Sequence, residues 1–323
     1  MLAIALAVSV SALVLALLAR HPGVAPHDRP NERSLHEGVV PRAGGWAVLG
    51  GWSVAALLAG PLPGMSASSF GALLVALAAL FAVSLVDDYR GLGAAWRMAV
   101  QVGCAALVAA MLARDAHGGL AWIAAAALTL VAATNFYNFM DGSDGLAGAM
   151  GVTGFAALAA AAALVGAPCI TLVAFVFAVL PFLVRNLPPA KIFLGDAGSA
   201  PTGFLAGTAS VAGVAAGTWP AWFPALVFLP FLADATVTLG RRALSGQRVW
   251  EAHRSHYYQR LVRLGFGHRG TLAVYGTLML GCGATAVACL AWRMEAGPVA
   301  LAVWVAIVAL VFAGIDYHWR QRA

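Results

Sequence analysis

The sequence predicts an all-α integral membrane protein that crosses the bilayer about eleven times. Hydrophobic residues make up 62% of the 323-residue chain, and Asp, Glu, Lys and Arg together only 10%. Soluble proteins average about half apolar and about a quarter charged residues. A water-soluble globule with this composition would lack the charged side chains needed to cover its surface. The long Ala/Leu/Val runs also argue against a membrane barrel, whose strands would be short and alternating.

The number of spans follows from the length of the apolar runs. A helix needs roughly 20 apolar residues to cross a hydrocarbon layer about 30 Å thick. The abundance of Gly and Ala suits the close approach of helices in lipid. Residues 1–323 therefore form a single predicted transmembrane domain. Its apolar runs lie near 1–20, 45–62, 68–86, 94–113, 119–137, 146–165, 168–184, 199–217, 220–240, 270–292 and 298–317.

The orientation follows from the positive charges. No cation precedes the first run, so we interpret it as a retained helix and not as a signal peptide. The first cation, Arg20, follows that run, which puts the amino terminus outside and the next loop in the cytoplasm. With eleven spans, 17 of the 19 cations fall on the cytoplasmic side, leaving Arg114 and Arg293 outside. The net charge of +6 is thus explained by the inner membrane face. The predicted cytoplasmic loops are about 21–44, 87–97, 138–146, 185–199 and 241–269.

Two adjacent acids, Asp87 and Asp88, follow the third apolar run. Neighbouring side chains on a helix diverge by about 100°, so the two cannot share one ligand equally unless the helix ends there. Carboxylates close to hydrocarbon are costly and tend to be functional or paired. With Arg90 nearby, the pair indicates a metal or phosphate site, and the alternative is a solvated helix end.

A polar residue recurs at every third position from the end of the fifth run onward. This spacing aligns side chains along one side of a helical or turn-like segment. Gly142 and Gly145, which follow Asp141 and Asp144, permit a tight turn, and Asp144 can cap the next helix. Capping explains one aspartate but not four polar residues in register, so the pattern favours a binding site. The four residues are Asn135, Asn138, Asp141 and Asp144.

The stretch 193–199 reads FLGDAGS and precedes another apolar run. Its glycines let backbone N–H groups approach an anion, and a helix amino terminus favours negative charge. Asp196 supplies a hard oxygen ligand for Mg²⁺. Lys191 and Asn186, just upstream, are predicted contacts for phosphate and nucleotide. A simple helix cap at Asp196 is the alternative.

The long basic segment 241–269 carries His253, Arg254 and His256. The two histidines share a face if the segment is helical, which favours substrate binding. Three alternatives remain open. The segment can be a basic interfacial helix that holds anionic lipid, the histidines can be solvated, or they can ligate a transition metal.

Together, the predicted inner face collects Asp, Asn, Arg, Lys and His side chains. Hard carboxylates with nearby cations are typical of Mg²⁺-dependent chemistry on phosphates, in which positive charge offsets the phosphate oxygens. A site at the membrane surface, reached from the cytoplasm, indicates one water-soluble and one membrane-bound substrate.

These motifs, in this order, resemble those of the polyprenyl-phosphate N-acetylhexosamine-1-phosphate transferases, glycosyltransferase family 4. The resemblance covers nearly the whole chain. It begins with RPNERSLH at 29–36, Pro41 and the glycines at 44–45, and it continues through Asp87–Asp88 and the motifs at 138–144 and 186–199. Asp234 and the two histidines of the long segment complete it.

The resemblance implies an enzyme of a bacterial inner membrane with its active site on the cytoplasmic face, a periplasmic amino terminus and a cytoplasmic carboxy terminus. Its partners would be a UDP-N-acetyl-sugar, undecaprenyl phosphate and the lipid bilayer, and no nucleic acid. The products would be UMP and a lipid-linked sugar diphosphate. Mg²⁺ is the implied cofactor, with Mn²⁺ as a substitute, and a homodimer is left open.

Roles for single residues also follow from the resemblance. Asp196 and Asp88 would hold Mg²⁺, either Asp87 or Asp88 would orient or deprotonate the lipid phosphate, and His253 would take part in catalysis. The implied substrate contacts are Asn138, Asp141, Asp144, Asn186, Lys191, Arg254, His256, Arg33 and His36.

The sequence HRSHYY at 253–258 departs from the family's peptidoglycan branch and its bacterial GlcNAc branch, which carry a tighter histidine cluster. It is closer to the branch that initiates O-antigen or related surface polysaccharides. The sugar stays open among GlcNAc, FucNAc and QuiNAc, with a phospho-MurNAc-pentapeptide transferase as the alternative. Two other classes are a secondary transporter, which would place ionisable residues at the midplane of repeated halves, and a catalytically inactive membrane scaffold.

Overall fold

The computed structural model describes residues 1–28, 35, 38–248 and 253–322, and within them the chain is almost entirely helical. Arg33 and His36 lie outside the described residues. The α-helices are α1 (Leu2–Arg20), α2 (Gly44–Ala59), α3 (Ala67–Arg90), α4 (Ala94–Ala116), α5 (Leu120–Phe139), α6 (Leu146–Leu164), α7 (Ile170–Asn186), α8 (Asp196–Ala215), α9 (Trp222–Val227), α10 (Leu229–Leu244), α11 (Tyr257–Leu261), α12 (Gly267–Trp292) and α13 (Gly297–Arg322). A π-helical turn, Val262–Phe266, joins α11 to α12.

Ten of the eleven predicted apolar runs each form one continuous helix. The prediction is wrong for the ninth run, 220–240, which is broken at Phe228 into α9 and α10. Pro230 lies in the first turn of α10. A proline ring in a continuous helix would meet the carbonyl four residues earlier and would remove a hydrogen bond. The chain therefore restarts its helix at the position where the proline is tolerated.

Within the described residues, seven helices are long and apolar enough to cross a bilayer, namely α1, α3, α4, α5, α6, α13 and the combined segment Tyr257–Trp292. The shorter helices α2 and α7 are also apolar. The chain is thus a multi-pass, all-α membrane protein, as predicted. The count of eleven spans and the orientation of the chain stay predictions.

Helix α8 lies at the centre of the bundle. It packs against α5, α3 and α2, and more lightly against α6 and α4. Side chains such as Phe204 and Leu205 are fully buried, because α8 is surrounded by other helices on most sides. This position holds the amino-terminal end of α8, with Asp196, at a junction of several helices.

A short irregular region departs from the all-helical pattern. Strands β1 (His27–Asp28) and β2 (Val40–Pro41) pair antiparallel. Phe193 donates its N–H to the Pro41 carbonyl at 2.8 Å, and Gly44 donates to the Phe193 carbonyl at 2.8 Å. Backbone hydrogen bonds therefore join the loop before α2 to the loop before α8, and they bring the amino-terminal ends of these two helices side by side.

Several loops are shorter than the sequence predicts. Helix α3 runs to Arg90, so Asp87 and Asp88 lie on its last turn and not in a loop. Helix α8 begins at Asp196 itself. Both ends of the predicted loop 241–269 are helical, because α10 continues to Leu244 and α11 begins at Tyr257. Among the described residues, 245–248 and 253–256 lie between these two helices.

Candidate active site

Carboxylates from two distant parts of the chain meet at Arg42. The Arg42 Nη2 atom lies 3.2 Å from Asp196 Oδ1 and 3.6 Å from Asp88 Oδ1. The Asp88 side chain is 1% exposed and the Asp196 side chain 26% exposed. One guanidinium therefore lies between a buried carboxylate and one that reaches solvent.

Arg97, at the start of α4, forms a second bridge. Its Nη1 atom lies 2.8 Å from Asp87 Oδ2 and 3.4 Å from Asp196 Oδ2. The other Asp87 oxygen accepts a hydrogen bond from the Leu92 N–H at 2.6 Å. Asp87 thus shapes the turn between α3 and α4 and holds Arg97 beside Asp196. Asp87 and Asp88 point to different partners, as expected for adjacent helical residues.

The start of α8 explains why Asp196 and Asp88 are neighbours. Gly195 has a φ of +75°, a left-handed conformation that favours glycine. The helix begins directly after it, and the Ala197 N–H donates to Asp88 Oδ2 at 3.2 Å. A carboxylate at a helix amino terminus is stabilised by the unsatisfied N–H groups and by the helix dipole. Asp88 thus holds α3 to the amino terminus of α8.

A polar cavity of about 270 Å³ opens beside these residues. Asp141 lies in its wall together with Arg42, Asp196 and Gly195. Burial, and then the negative charge of Asp196, raise the pKa of Asp141 well above its ordinary value. The charge of Asp88 also raises the pKa of Asp141, so carboxylates from three separate segments influence one another, and a nearby cation would favour their charged forms. The cavity is lined by Asp28, Leu35, Arg42, Asn138, Asp141, Gly142, Ser143, Asp144, Asn186, Phe193, Gly195, Asp196, Gln259 and His268.

The predicted register of four polar residues is only partly realised, because α5 ends at Phe139. Asn138 donates to Ser199 Oγ on α8 at 2.8 Å. Asn135, one turn earlier, instead donates to Gln101 Oε1 on α4 at 2.8 Å and does not line the cavity. Asn138, Asp141 and Asp144 do line it.

Two of the predicted binding residues, Asn186 and Asp144, form hydrogen bonds with backbone groups of neighbouring loops. Asn186 is buried, accepts from the Gly145 N–H at 2.9 Å and donates to the Ile192 carbonyl at 2.8 Å. Asp144 accepts from the Ala190 N–H at 2.9 Å. Both residues therefore tie the loop before α6 to the loop before α8. Lys191 is exposed and is not part of the cavity wall.

The histidines of the long loop lie beside the cavity and not in its wall. The His253 and His256 rings are 4.9 Å apart between centroids. His253 is half-buried, His256 is buried, and Arg254 between them is exposed. Tyr258, two residues after His256, connects this segment to the 138–144 motif at the cavity, because its hydroxyl donates to the Phe139 carbonyl at 3.0 Å.

Burial, and then the neighbouring His256 and Arg242, lower the pKa of His253 to about 4. Because the unfolded chain binds a proton at a pKa of about 6.5, it binds more protons than the folded chain between these values. We therefore expect His253 to lower the free energy of unfolding as the pH falls from about 6.5 to about 4. Thermal unfolding in detergent between pH 4.5 and pH 7.5 measures this effect.

The variant His253→Gln should flatten this part of the stability profile. His21→Gln, at an exposed position after α1, is the matched control and should retain the wild-type profile. An unchanged pH dependence in His253→Gln would contradict the assignment.

Several residues at the site were not predicted, among them Arg42, Arg97, His268 and Gln259. The sequence indicates Arg42 and Arg97 only as cations of the predicted inner membrane face, although Arg42 directly follows the Pro41 of the resemblance. His268, at the start of α12, lies 3.0 Å from Ser143 Oγ through Nδ1 and 3.0 Å from the Leu35 carbonyl through Nε2. His268 is isolated in a basic segment of the sequence, and no motif around it indicates a site residue.

The residues present fit Mg²⁺ as a substrate-bridging ion. Among the described residues, no group of three or more His, Cys, Asp or Glu side chains is arranged to enclose a metal. Mg²⁺ usually takes one or two protein carboxylates and completes its shell with water and substrate phosphates. Asp88 and Asp196, which flank the same guanidinium, are the carboxylates that suit such an ion.

The fold and the site therefore define a multi-pass membrane protein with a carboxylate–arginine centre beside a polar cavity. Residues 70–214 match the family model described as glycosyl transferase family 4. The chain is similar to this family over the segment that carries Asp88, Asp141 and Asp196.

Two relatives illustrate the similarity. The chain is 29% identical over 327 residues to a protein of Mycolicibacterium smegmatis named decaprenyl-phosphate N-acetylglucosaminephosphotransferase, which covers 87% of this chain and 79% of the relative. It is 26% identical over 266 residues to a Bacillus subtilis protein named probable undecaprenyl-phosphate N-acetylglucosaminyl 1-phosphate transferase, covering 76% of this chain and 72% of that one.

Proposed function

We propose that this chain transfers an N-acetylhexosamine-1-phosphate from a UDP-sugar to a polyprenyl phosphate, releasing UMP and forming a lipid-linked sugar diphosphate. The observation that carries the proposal is the pair Asp88 and Asp196, joined by Arg42 at a polar cavity in a membrane protein that is similar to this family. The names of both relatives support a polyprenyl phosphate as the acceptor and N-acetylglucosamine as the sugar.

Asp88 and Asp196 would hold Mg²⁺, or Mn²⁺ in its place. The bound ion would neutralise the oxygens of the diphosphate and draw electron density from the phosphorus that is attacked. Arg42 contacts both carboxylates, so it can turn toward substrate phosphate when the carboxylates are occupied. Arg97 is held in the same way by Asp87 and Asp196.

The acceptor phosphate requires little activation. The second pKa of a phosphate monoester is about 6, so the group is largely dianionic at pH 7 and already a nucleophile. Its oxygen would attack the β-phosphorus, and the bond to the α-phosphate oxygen would break as UMP leaves. The contribution of Arg42, Arg97 and the last turn of α3 is then to align two anionic substrates that repel each other.

The polar cavity suits the nucleotide-sugar substrate. Asn138, Asp141, Asp144 and Gln259 line it and offer carboxylate and amide groups, which are suited to hydroxyl groups and a base edge. Asp141 lies beside Asp196 in the wall, so a substrate in this cavity would reach the metal-binding carboxylates with its diphosphate.

An apolar groove of about 360 Å³ suits the polyprenyl chain. It runs between α5, α8 and the break that separates α9 from α10, and most of its lining is apolar. Phe136 and Tyr137 lie in this groove, directly before Asn138 of the polar cavity. A lipid in the groove would therefore have its phosphate close to the polar site.

In a bacterial inner membrane with the cavity on the cytoplasmic face, the product would be the first lipid-linked intermediate of O-antigen or another cell-envelope polysaccharide. N-acetylglucosamine is the first sugar to test because the relatives are named for it. FucNAc, QuiNAc and the MurNAc-pentapeptide complete the panel.

We expect the purified protein in detergent to release UMP when UDP-N-acetylglucosamine, undecaprenyl phosphate and Mg²⁺ are all present. Omission of either substrate should stop the release. EDTA should also stop it, and added Mg²⁺ or Mn²⁺ should restore it. UMP release is followed with a coupled nucleotide assay, and the lipid product by mass spectrometry.

Absence of UMP release with every sugar of the panel would contradict the proposed function. Vectorial uptake of a nucleotide sugar into proteoliposomes, without UMP, would favour a transporter. Activity that survives thorough chelation would remove the metal from the mechanism.

A further inference from the structure

Asp234 of α10 is a fully buried carboxylate that accepts an unusual number of hydrogen bonds. Its Oδ1 atom accepts from Thr238 Oγ1 at 3.1 Å, His256 Nδ1 at 3.0 Å and the Tyr257 N–H at 3.0 Å. Its Oδ2 atom accepts from the Tyr258 N–H at 3.0 Å and the Tyr275 hydroxyl at 2.5 Å. A buried carboxylate with this many donors is charge-stabilised and held in one orientation.

Two of these five donors are the N–H groups of the first two residues of α11. A third is the side chain of His256, directly before that helix, so Asp234 fixes where the helix starts. The two backbone N–H groups are among those that a helix leaves unsatisfied at its amino terminus. An ionised carboxylate there also has a favourable interaction with the helix dipole. The start of α11 and His256 directly before it are therefore held to α10 through Asp234.

Asp234 also determines which nitrogen of His256 carries the proton. An ionised carboxylate only accepts hydrogen bonds, so Nδ1 must be the protonated nitrogen and Nε2 is left as the second site of the ring. The ring is further held between Tyr258, at 5.8 Å between centroids, and Phe139, at 6.0 Å. His256 is thus held in one tautomer and one orientation.

The same helix end reaches the polar cavity. The His256 N–H donates to Gln259 Oε1 at 3.1 Å, and Gln259 lines the cavity. Tyr258 contacts the turn of the 138–144 motif through the Phe139 carbonyl at 3.0 Å. Movement of the start of α11 would therefore move Gln259 and loosen the wall that carries Asn138 and Asp141.

We propose that Asp234 is a positioning residue for the nucleotide-sugar substrate, acting through His256, Gln259 and Tyr258. The inference rests on the proposed function, because it assigns the cavity to the UDP-sugar. The groups assigned to the metal and to the substrate phosphates, Arg42, Arg97, Asp87 and Asp88, belong to other elements and have partners other than Asp234. Loss of Asp234 should therefore weaken the UDP-sugar selectively and leave the polyprenyl phosphate little affected.

The test is Asp234→Asn, which keeps the shape of the side chain but places an NH₂ group against donors. We expect KM for UDP-N-acetylglucosamine to rise about tenfold and KM for undecaprenyl phosphate to change less than about twofold. The Kd for UDP-N-acetylglucosamine, measured by titration calorimetry, should weaken by the same factor. Tyr275→Phe, which removes one donor to Asp234 but keeps the bonds to α11, is the matched control and should change both KM values less than about twofold.

A merely structural role predicts a different result, namely a lower active fraction with both KM values and the Kd unchanged, and this result would overturn the proposal. If Asp234→Asn does not fold, Tyr258→Phe decides instead, because it removes the hydroxyl that links the start of α11 to the Phe139 carbonyl and Tyr258 does not line the cavity. A selective rise in KM and Kd for the UDP-sugar supports the proposal, and unchanged values overturn it. A wild-type protein that binds UDP-N-acetylglucosamine but releases no UMP would contradict the proposed function. In that case the ratio of Kd values between wild type and variant still tests the role of Asp234.

Discussion

Replacement of Asp196 by Asn is expected to lower turnover by roughly 10³-fold, the upper range for loss of one strong charge-stabilising group in an active site. Asn has the shape of Asp but lacks the negative charge that holds a divalent cation. The change also removes the negative charge shared by Arg42 and Arg97, so each guanidinium group keeps only one of its two carboxylate partners. Initial rates of UMP release, measured across a Mg²⁺ titration, give the size of the effect.

Asp115→Asn is the matched control for this variant. Asp115 lies near the other end of α4 from Arg97 and accepts from the Ser69 hydroxyl at 2.6 Å and the Ser66 N–H at 3.0 Å. It should cost stability without changing the metal dependence. Wild-type turnover, or an unchanged Mg²⁺ requirement, in Asp196→Asn would reject the role assigned to Asp196.

Gly45→Ala is expected to remove most activity, although residue 45 carries no functional group. A Cβ atom at position 45 would lie 2.2 Å from Gly198 Cα and 2.5 Å from Gly198 N. Backbone atoms cannot move aside as a flexible side chain does, so α2 and the first turn of α8 must separate. Overpacking of this kind costs about 1–3 kcal/mol, and here it also displaces Asp196 from Asp88 and Arg42.

Gly50→Ala on the same helix provides the control, since a Cβ atom there has nothing within 4 Å. Alanine favours a helix by up to about 1 kcal/mol over glycine, so Gly50→Ala should be neutral or stabilising. The melting temperature in detergent and the UMP release rate are measured for both variants. Full activity in Gly45→Ala would show that the close contact of α2 and α8 does not position the site.

Much of the fold follows from properties that are local in sequence. Apolar runs of about 20 residues predict where helices form, because length and composition decide whether a segment is stable in lipid. They do not predict the break at Phe228, where the proline at position 230 outweighs the apolar pattern. They also overestimate the loop after α3, since Asp87 and Asp88 continue the helix.

The charge distribution predicts that Asp88, Asp141 and Asp196 lie on one membrane face. The structure brings Asp88 and Asp196 to the same arginine, and places Asp141 and Asp196 in the wall of one cavity. The contacts that Arg42 and Arg97 make with these carboxylates were not predicted. Arg42 meets Asp196 across 154 positions of sequence, through a strand-like pairing between residues 41–44 and 193. Such a long-range pairing leaves no periodic signal in a single sequence. Asn186 shows the opposite case, since a polar residue predicted to contact a substrate instead satisfies two backbone groups.

The position of the transferred phosphate tests the account most directly. UDP-N-acetylglucosamine labelled with ³²P at the β-phosphate is incubated with the protein, undecaprenyl phosphate and Mg²⁺, and the label is traced in the lipid and nucleotide fractions. The account predicts that the label enters the lipid product and that unlabelled UMP is released. Label that stays with the nucleotide as UDP would mean that the sugar moves without its phosphate, and would contradict a reaction at the carboxylate–arginine centre of the kind described.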